Sequence, residues 1–126
     1  MSQESNRRTF TRVDLTLPLE IRVADTWMRS ASPWNLSANG VFVRTPFRLP
    51  VGMPVTVRIL LGETEDEPRI RAFGSVARTE NDGIGIRFEV IEPGCEAHLR
   101  RVILHNAKEP EKVFAEFQER FGITFT

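Results

Sequence analysis

Leu17, Leu19, Ile21 and Val23 alternate with Thr16, Pro18, Glu20 and Arg22, the period-two pattern of a strand with one buried face. The alternation returns in Val55, Val57, Ile59 and Leu61, and again in Ile84, Ile86, Phe88 and Val90. Residues 69–79 read as a further strand, joined to the last by an Asn81-Asp82-Gly83 hairpin turn. Residues 32–37 read as extended, and Asn39-Gly40 supplies a turn or bulge before Val41-Phe42-Val43. Pro18 cannot donate a ladder hydrogen bond, so it belongs at an edge or a strand start. Gly85, inside an alternating run, marks a bulge or a close backbone approach. Strands at this spacing, joined by short turns, predict an antiparallel barrel.

Beyond Pro93-Gly94 the period changes. Leu99, Val102 and Ile103 share one face of a helix over residues 95–106. Pro110 suits a first helical position, and the helix it opens stops before Gly122. Val113, Phe114, Phe117 and Phe121 form its apolar face, with Glu111, Glu116, Glu119 and Arg120 mostly off it. The chain thus reads as an arm over residues 1–14, a β-domain with its following helix over 15–106, and a helical extension over 107–126.

Bulk composition narrows the function classes. At 126 residues, 40% hydrophobic and 27% charged, the chain supports one globular domain. No apolar run approaches the roughly 20 residues that span a bilayer, and the first residues lack the apolar core of a secretory signal. A single cysteine, Cys95, rules out an intramolecular disulfide and suits a reducing cytoplasm. Seventeen basic residues balance 17 acidic ones. A protein gripping long nucleic acids is usually basic overall, so this balance argues against a wide polyanion groove. The loop at residues 62–68 is acidic and reads as solvated.

Two short motifs carry the chemistry. Arg8-Thr9-Phe10-Thr11-Arg12 is an RxxxR pattern, and Asn35-Leu36-Ser37-Ala38-Asn39-Gly40 an NxSxxG pattern. Arginine supplies 15 of the 17 basic residues, and Arg44 and Arg48 form a second RxxxR, so that motif alone decides little. NxSxxG is far rarer by chance, and the order of the two narrows the reading further. Together they resemble the signature of the PilZ family, bacterial domains that bind cyclic di-GMP. The resemblance runs over approximately residues 7–105, and Gly83-Ile84-Gly85-Ile86-Arg87-Phe88 is similar to a late strand of such domains. It implies a mainly β protein: a six-stranded antiparallel β-barrel with one or two C-terminal helices. The binding surface then lies where the N-terminal arm folds over one face.

The resemblance implies ligand-binding roles for Arg7, Arg8, Arg12, Asn35, Ser37 and Gly40. Their chemistry fits a ligand with phosphates and guanine edges. A guanidinium forks onto guanine O6 and N7, or onto a phosphate, with two parallel hydrogen bonds. Asn35 offers one acceptor and two donors, and Ser37 a hydroxyl. The family takes Asp or Asn at position 35; Asn lacks the charge that receives guanine N1–H and N2–H. Gly40 permits a positive φ or a close approach to the backbone. Arg7, next to RxxxR, marks in related domains an intercalated ligand dimer. No cofactor beyond the cyclic di-GMP ligand is implied.

Other readings stand beside this one. The arginines can be solvated surface charges, and Asn35, Ser37 and Gly40 can build a polar turn. Cys95, His98 and His105 lack a zinc spacing, and no catalytic signature surrounds Cys95. Trp27 and Trp34 can stack on bases or pack in the core. With no P-loop and no nucleophile–base–acid set, the expectation is a non-enzymatic receptor that signals to a downstream protein in trans. A ligand-independent protein-interaction module is the alternative, with a small RNA- or ssDNA-binding barrel behind it. The last helix could also mediate a homodimer.

Overall fold

The computed structural model describes residues 11–15, 17–30, 34–46, 48–61 and 69–121. Arg7, Arg8, the loop at residues 62–68, and the side chains of Arg120 and Phe121 lie outside the described residues. Among the described residues eight strands form one antiparallel sheet: β1 (Val13–Leu15), β2 (Leu19–Val23), β3 (Thr26–Ser30), β4 (Trp34–Ser37), β5 (Gly40–Arg44), β6 (Pro54–Leu60), β7 (Arg69–Glu80) and β8 (Gly83–Ile91). Their order is β1-β4-β5-β8-β7-β6-β2-β3. Two helices follow, α1 (Cys95–Asn106) and α2 (Pro110–Phe121), over the ranges that the helical spacing predicts.

The mainly antiparallel architecture agrees with the periodicity, but the six-stranded closed barrel needs correction. The sheet has eight strands, and no ladder joins its end strands β1 and β3 among the described residues. Instead α1 lies across the sheet, packed on β7 and β1. Pro18 precedes β2, which runs between β3 and β6, so the proline starts a strand that is not at an edge.

The sequence reading passed over two strands: β1, whose Val13 and Asp14 were counted in the arm but pair with Leu36 and Asn35 of β4, and β3. Its hairpin with β2 turns through Ala24-Asp25, with Val23 opposite Thr26. No glycine or Asn-Gly pair announces this turn, although Ala24 takes the φ of 54° that such pairs normally supply. Arg22 Nε donates to the Ala24 carbonyl at 3.0 Å and holds the turn. Ala24→Gly relieves a left-handed alanine at some cost in chain entropy. A gain of about 0.5–1 kcal/mol in urea unfolding is expected, and a loss would show that the turn carries no strain.

One face of the sheet and the two helices share one apolar cluster. Leu19, Leu36, Val43, Ile59 and Ile70 come from the strands, Leu99 and Ile103 from α1, and Val113 and Phe117 from α2. All nine are fully buried. Trp34 belongs to this core: it is 2% exposed, and its indole N–H donates to the Leu17 carbonyl at 2.8 Å. Trp27 is partly exposed, with the Arg58 guanidinium 4.2 Å above its ring. Phe114 on α2 remains 37% exposed.

Candidate functional site

Residues directly opposite in antiparallel strands lie on the same side of the sheet. The registers therefore set Asp14, Asn35, Phe42, Gly85 and Arg78 in one row across β1, β4, β5, β8 and β7. This row lies on the face away from the core, since the neighbours Leu36, Val41, Val43, Ile84 and Ile86 point inward and are buried. Arg78 reaches back across the row. Its guanidinium lies 5.3 Å from the Phe42 ring centre, and its Nε meets Glu80 at 2.6 Å. Gly85 makes the crossing possible, because a Cβ there would sit 3.1 Å from Arg78 Cγ. A register shift between Val76 and Arg78 brings the arginine opposite Gly85.

Arg12 enters this face from the residue before β1. Its Nη1 donates to Asn35 Oδ1 at 2.9 Å, joining RxxxR to NxSxxG across 23 positions of sequence. Arg12 also lines a 380 Å³ recess with Asn39, Gly40, Phe42, Arg78 and Arg87, a volume within the usual range for small-molecule sites. Burial, and then the charge of nearby Arg78, lower the pKa of Arg12 from its ordinary value. Both effects disfavour the cation, so an anion placed between the two guanidiniums offsets them. The site is a cationic shelf with an aromatic floor.

Two residues of NxSxxG are engaged in the fold itself. Ser37 is fully buried; its hydroxyl donates to Asn39 Oδ1 at 2.7 Å and accepts the Asn39 amide N–H at 3.3 Å. The pair staples the turn between β4 and β5, where Ser37 faces Gly40. Gly40 has no positive φ. Its need is steric, because a Cβ there would fall 2.3 Å from the Ile86 carbonyl oxygen on β8. Gly40→Ala is expected to cost at least about 1 kcal/mol, as overpacking against backbone does. Thermal melts of variant and parent check this, and equal midpoints would return Gly40 to a ligand-contact role alone.

Of the residues singled out from sequence, Arg12 and Asn35 come together, while Ser37 and Gly40 shape the turn beside them. Arg7 and Arg8 lie outside the described residues. Sequence reasoning missed Arg78, Phe42, Asn39 and Arg87. The one available signal was Gly85: a glycine inside an alternating strand leaves room for something to cross it, and here that is Arg78. Among the described residues no three His, Cys, Asp or Glu side chains group to hold a metal, and no helix is long and apolar enough to cross a membrane.

The family model for the PilZ domain matches residues 6–105. This chain belongs to the PilZ family. Among solved structures it is similar to the Bacillus subtilis inhibitor of motility MotI/DgrA, at 24% identity and a TM-score of 0.65, over 79% of this chain and 51% of that one. The PilZ chain thus spans about half the length of MotI/DgrA. It is also similar to the PilZ domain of CeSA from a cellulose-synthesizing bacterium, at 21% identity and a TM-score of 0.56, over 75% of this chain and 96% of that one. At these identities the likeness is one of fold. A comparison with curated proteins found no match. PilZ domains are in general binding or adaptor domains.

Proposed function

We propose that this PilZ domain is a receptor for cyclic di-GMP, holding the dinucleotide with Arg7, Arg8 and Arg12 from the arm and Asn35, Ser37 and Gly40 from the β4–β5 hairpin. The observation that carries the reading is the meeting of Arg12 and Asn35 at 2.9 Å beside Arg78. Arg12 and Arg78 offer charge to phosphates and forked donors to guanine edges. Arg78 over Phe42 adds a flat surface on which a base can stack. Asn35 gives up its bond to Arg12 when the guanidinium turns to the ligand, and its amide then faces the base. The receptor is non-enzymatic and cytoplasmic, and it passes the bound state to another protein, as an adaptor does; self-association through α2 is one form this could take.

A specific observation also supports the second reading, a ligand-independent interaction module. Ser37 and Gly40 are fully accounted for by the turn and by β8, so NxSxxG has a structural reason to exist without a nucleotide. Calorimetric titration with cyclic di-GMP at physiological salt separates the two. Saturable binding at micromolar or tighter affinity supports the receptor, and its stoichiometry tells whether Arg7 accompanies one ligand or two. A folded protein that releases no heat at several temperatures leaves the interaction module.

A further inference from the structure

The apolar face of α2 carries a carboxylate into the interior. Val113, Glu116 and Phe117 are three and four positions apart, so they share one side of the helix. Val113 and Phe117 are fully buried, and Glu116 is only 8% exposed. The side that docks α2 onto α1 therefore also buries Glu116. A buried carboxylate is costly unless donors meet it, and here the donors come from the opposite end of the chain. Glu116 Oε1 accepts the Thr11 backbone N–H at 2.8 Å, and Oε2 accepts the Thr11 hydroxyl at 2.7 Å. Both oxygens grip one residue, 105 positions away in sequence.

Thr11 lies inside the RxxxR motif, immediately before Arg12. We infer that Glu116 is a positioning residue for the ligand arm: by fixing Thr11 at both its amide and its hydroxyl, α2 sets where Arg12 leaves the arm and delivers its guanidinium to Asn35. The inference rests on the cyclic di-GMP reading and adds a residue that touches no ligand. Its physical content is preorganisation. A residue already held need not lose its backbone freedom on binding, which converts to a factor of about 5–30 in affinity. The coupling is reciprocal, so a ligand that tightens the arm also tightens the hold on α2. The C-terminal helix thereby becomes an element through which occupancy of the shelf reaches a different surface of the domain.

Titration with cyclic di-GMP of the parent, Glu116→Ala, Thr11→Val, Arg12→Ala and the double variant Glu116→Ala/Arg12→Ala tests this, with a thermal melt of each. Glu116→Ala is expected to bind about 5- to 30-fold more weakly than the parent. Thr11→Val, which keeps the amide and loses the hydroxyl, should lose about half of that factor on a logarithmic scale. The decisive readout is the cycle: in the Arg12→Ala background, Glu116→Ala should cost almost nothing, because it acts through Arg12. Equal affinity of parent and Glu116→Ala overturns the inference, and so does the same loss with and without Arg12. Should Glu116→Ala fail to fold, Thr11→Val with and without Arg12 decides the matter by the same comparison. A folded parent that does not bind overturns the receptor reading and this inference together, whereas a parent that binds with an indifferent Glu116→Ala overturns only the inference.

Discussion

Phe117→Ala should destabilise the folded chain by about 3–5 kcal/mol, the range for deleting a buried aromatic side chain. Phe117 is completely buried and belongs to the same cluster as Leu99 and Ile103 on α1 and the inner residues of the sheet. Little can relax into the space it leaves, because strands and α1 bound that cluster on its other sides. A small domain typically has about 5–15 kcal/mol in hand, so this variant is expected to sit near the edge of folding at 37 °C. Urea unfolding followed by circular dichroism measures the loss. A change below about 1 kcal/mol would mean that α2 is an appendage whose docking the sheet and α1 do not need. A full loss would make it part of the core and place any self-association on its outward side, where Phe114 is 37% exposed.

Arg12→Ala should weaken cyclic di-GMP binding about 5- to 150-fold, or about 1–3 kcal/mol, the value of a good forked guanine contact. The fold should survive. Arg12 is only partly buried, bonds one surface amide and contributes nothing to the apolar cluster. Its removal also lifts the repulsion from Arg78 that, together with burial, depresses its own pKa. Thermal melts of the unliganded variant should match the parent within a few degrees. Arg12→Lys sharpens the test, since it retains the charge but not the planar fork. A lysine variant that binds like the parent would make Arg12 a simple counter-charge to phosphate, while one as weak as the alanine variant makes the fork essential. Unchanged binding in both would take Arg12 out of the site.

Different parts of the molecule were legible to different degrees. The helices at Cys95–Asn106 and Pro110–Phe121 follow from apolar spacing and from the punctuation by Pro93-Gly94, Pro110 and Gly122. The β7–β8 hairpin follows from Asn81-Asp82-Gly83. β3 was hidden because the Ala24-Asp25 turn puts an alanine, not a glycine or asparagine, at its positive-φ position. Arg12 and Asn35 could be named from the order of two motifs, because each motif is local. Ser37 and Gly40 were equally visible, but their occupation by the Asn39 side chain and the Ile86 carbonyl was not. Glu116 was misplaced for a related reason. Polar residues beside an apolar stripe normally face water, and nothing near Glu116 in sequence announces that Thr11 will meet it.

Periodicity and turn chemistry are relations between neighbouring residues, and they suffice for the strand-rich class and both helices, while the arginine and amide that meet at the shelf were named from two short motifs and their resemblance to a family signature. Register and helix docking are relations between segments tens of residues apart, governed by how whole faces pack. Packing between distant segments leaves the eight described strands as an open sheet under α1, brings Arg78 across Gly85 into a recess with Arg12, and closes the carboxylate of Glu116 on Thr11.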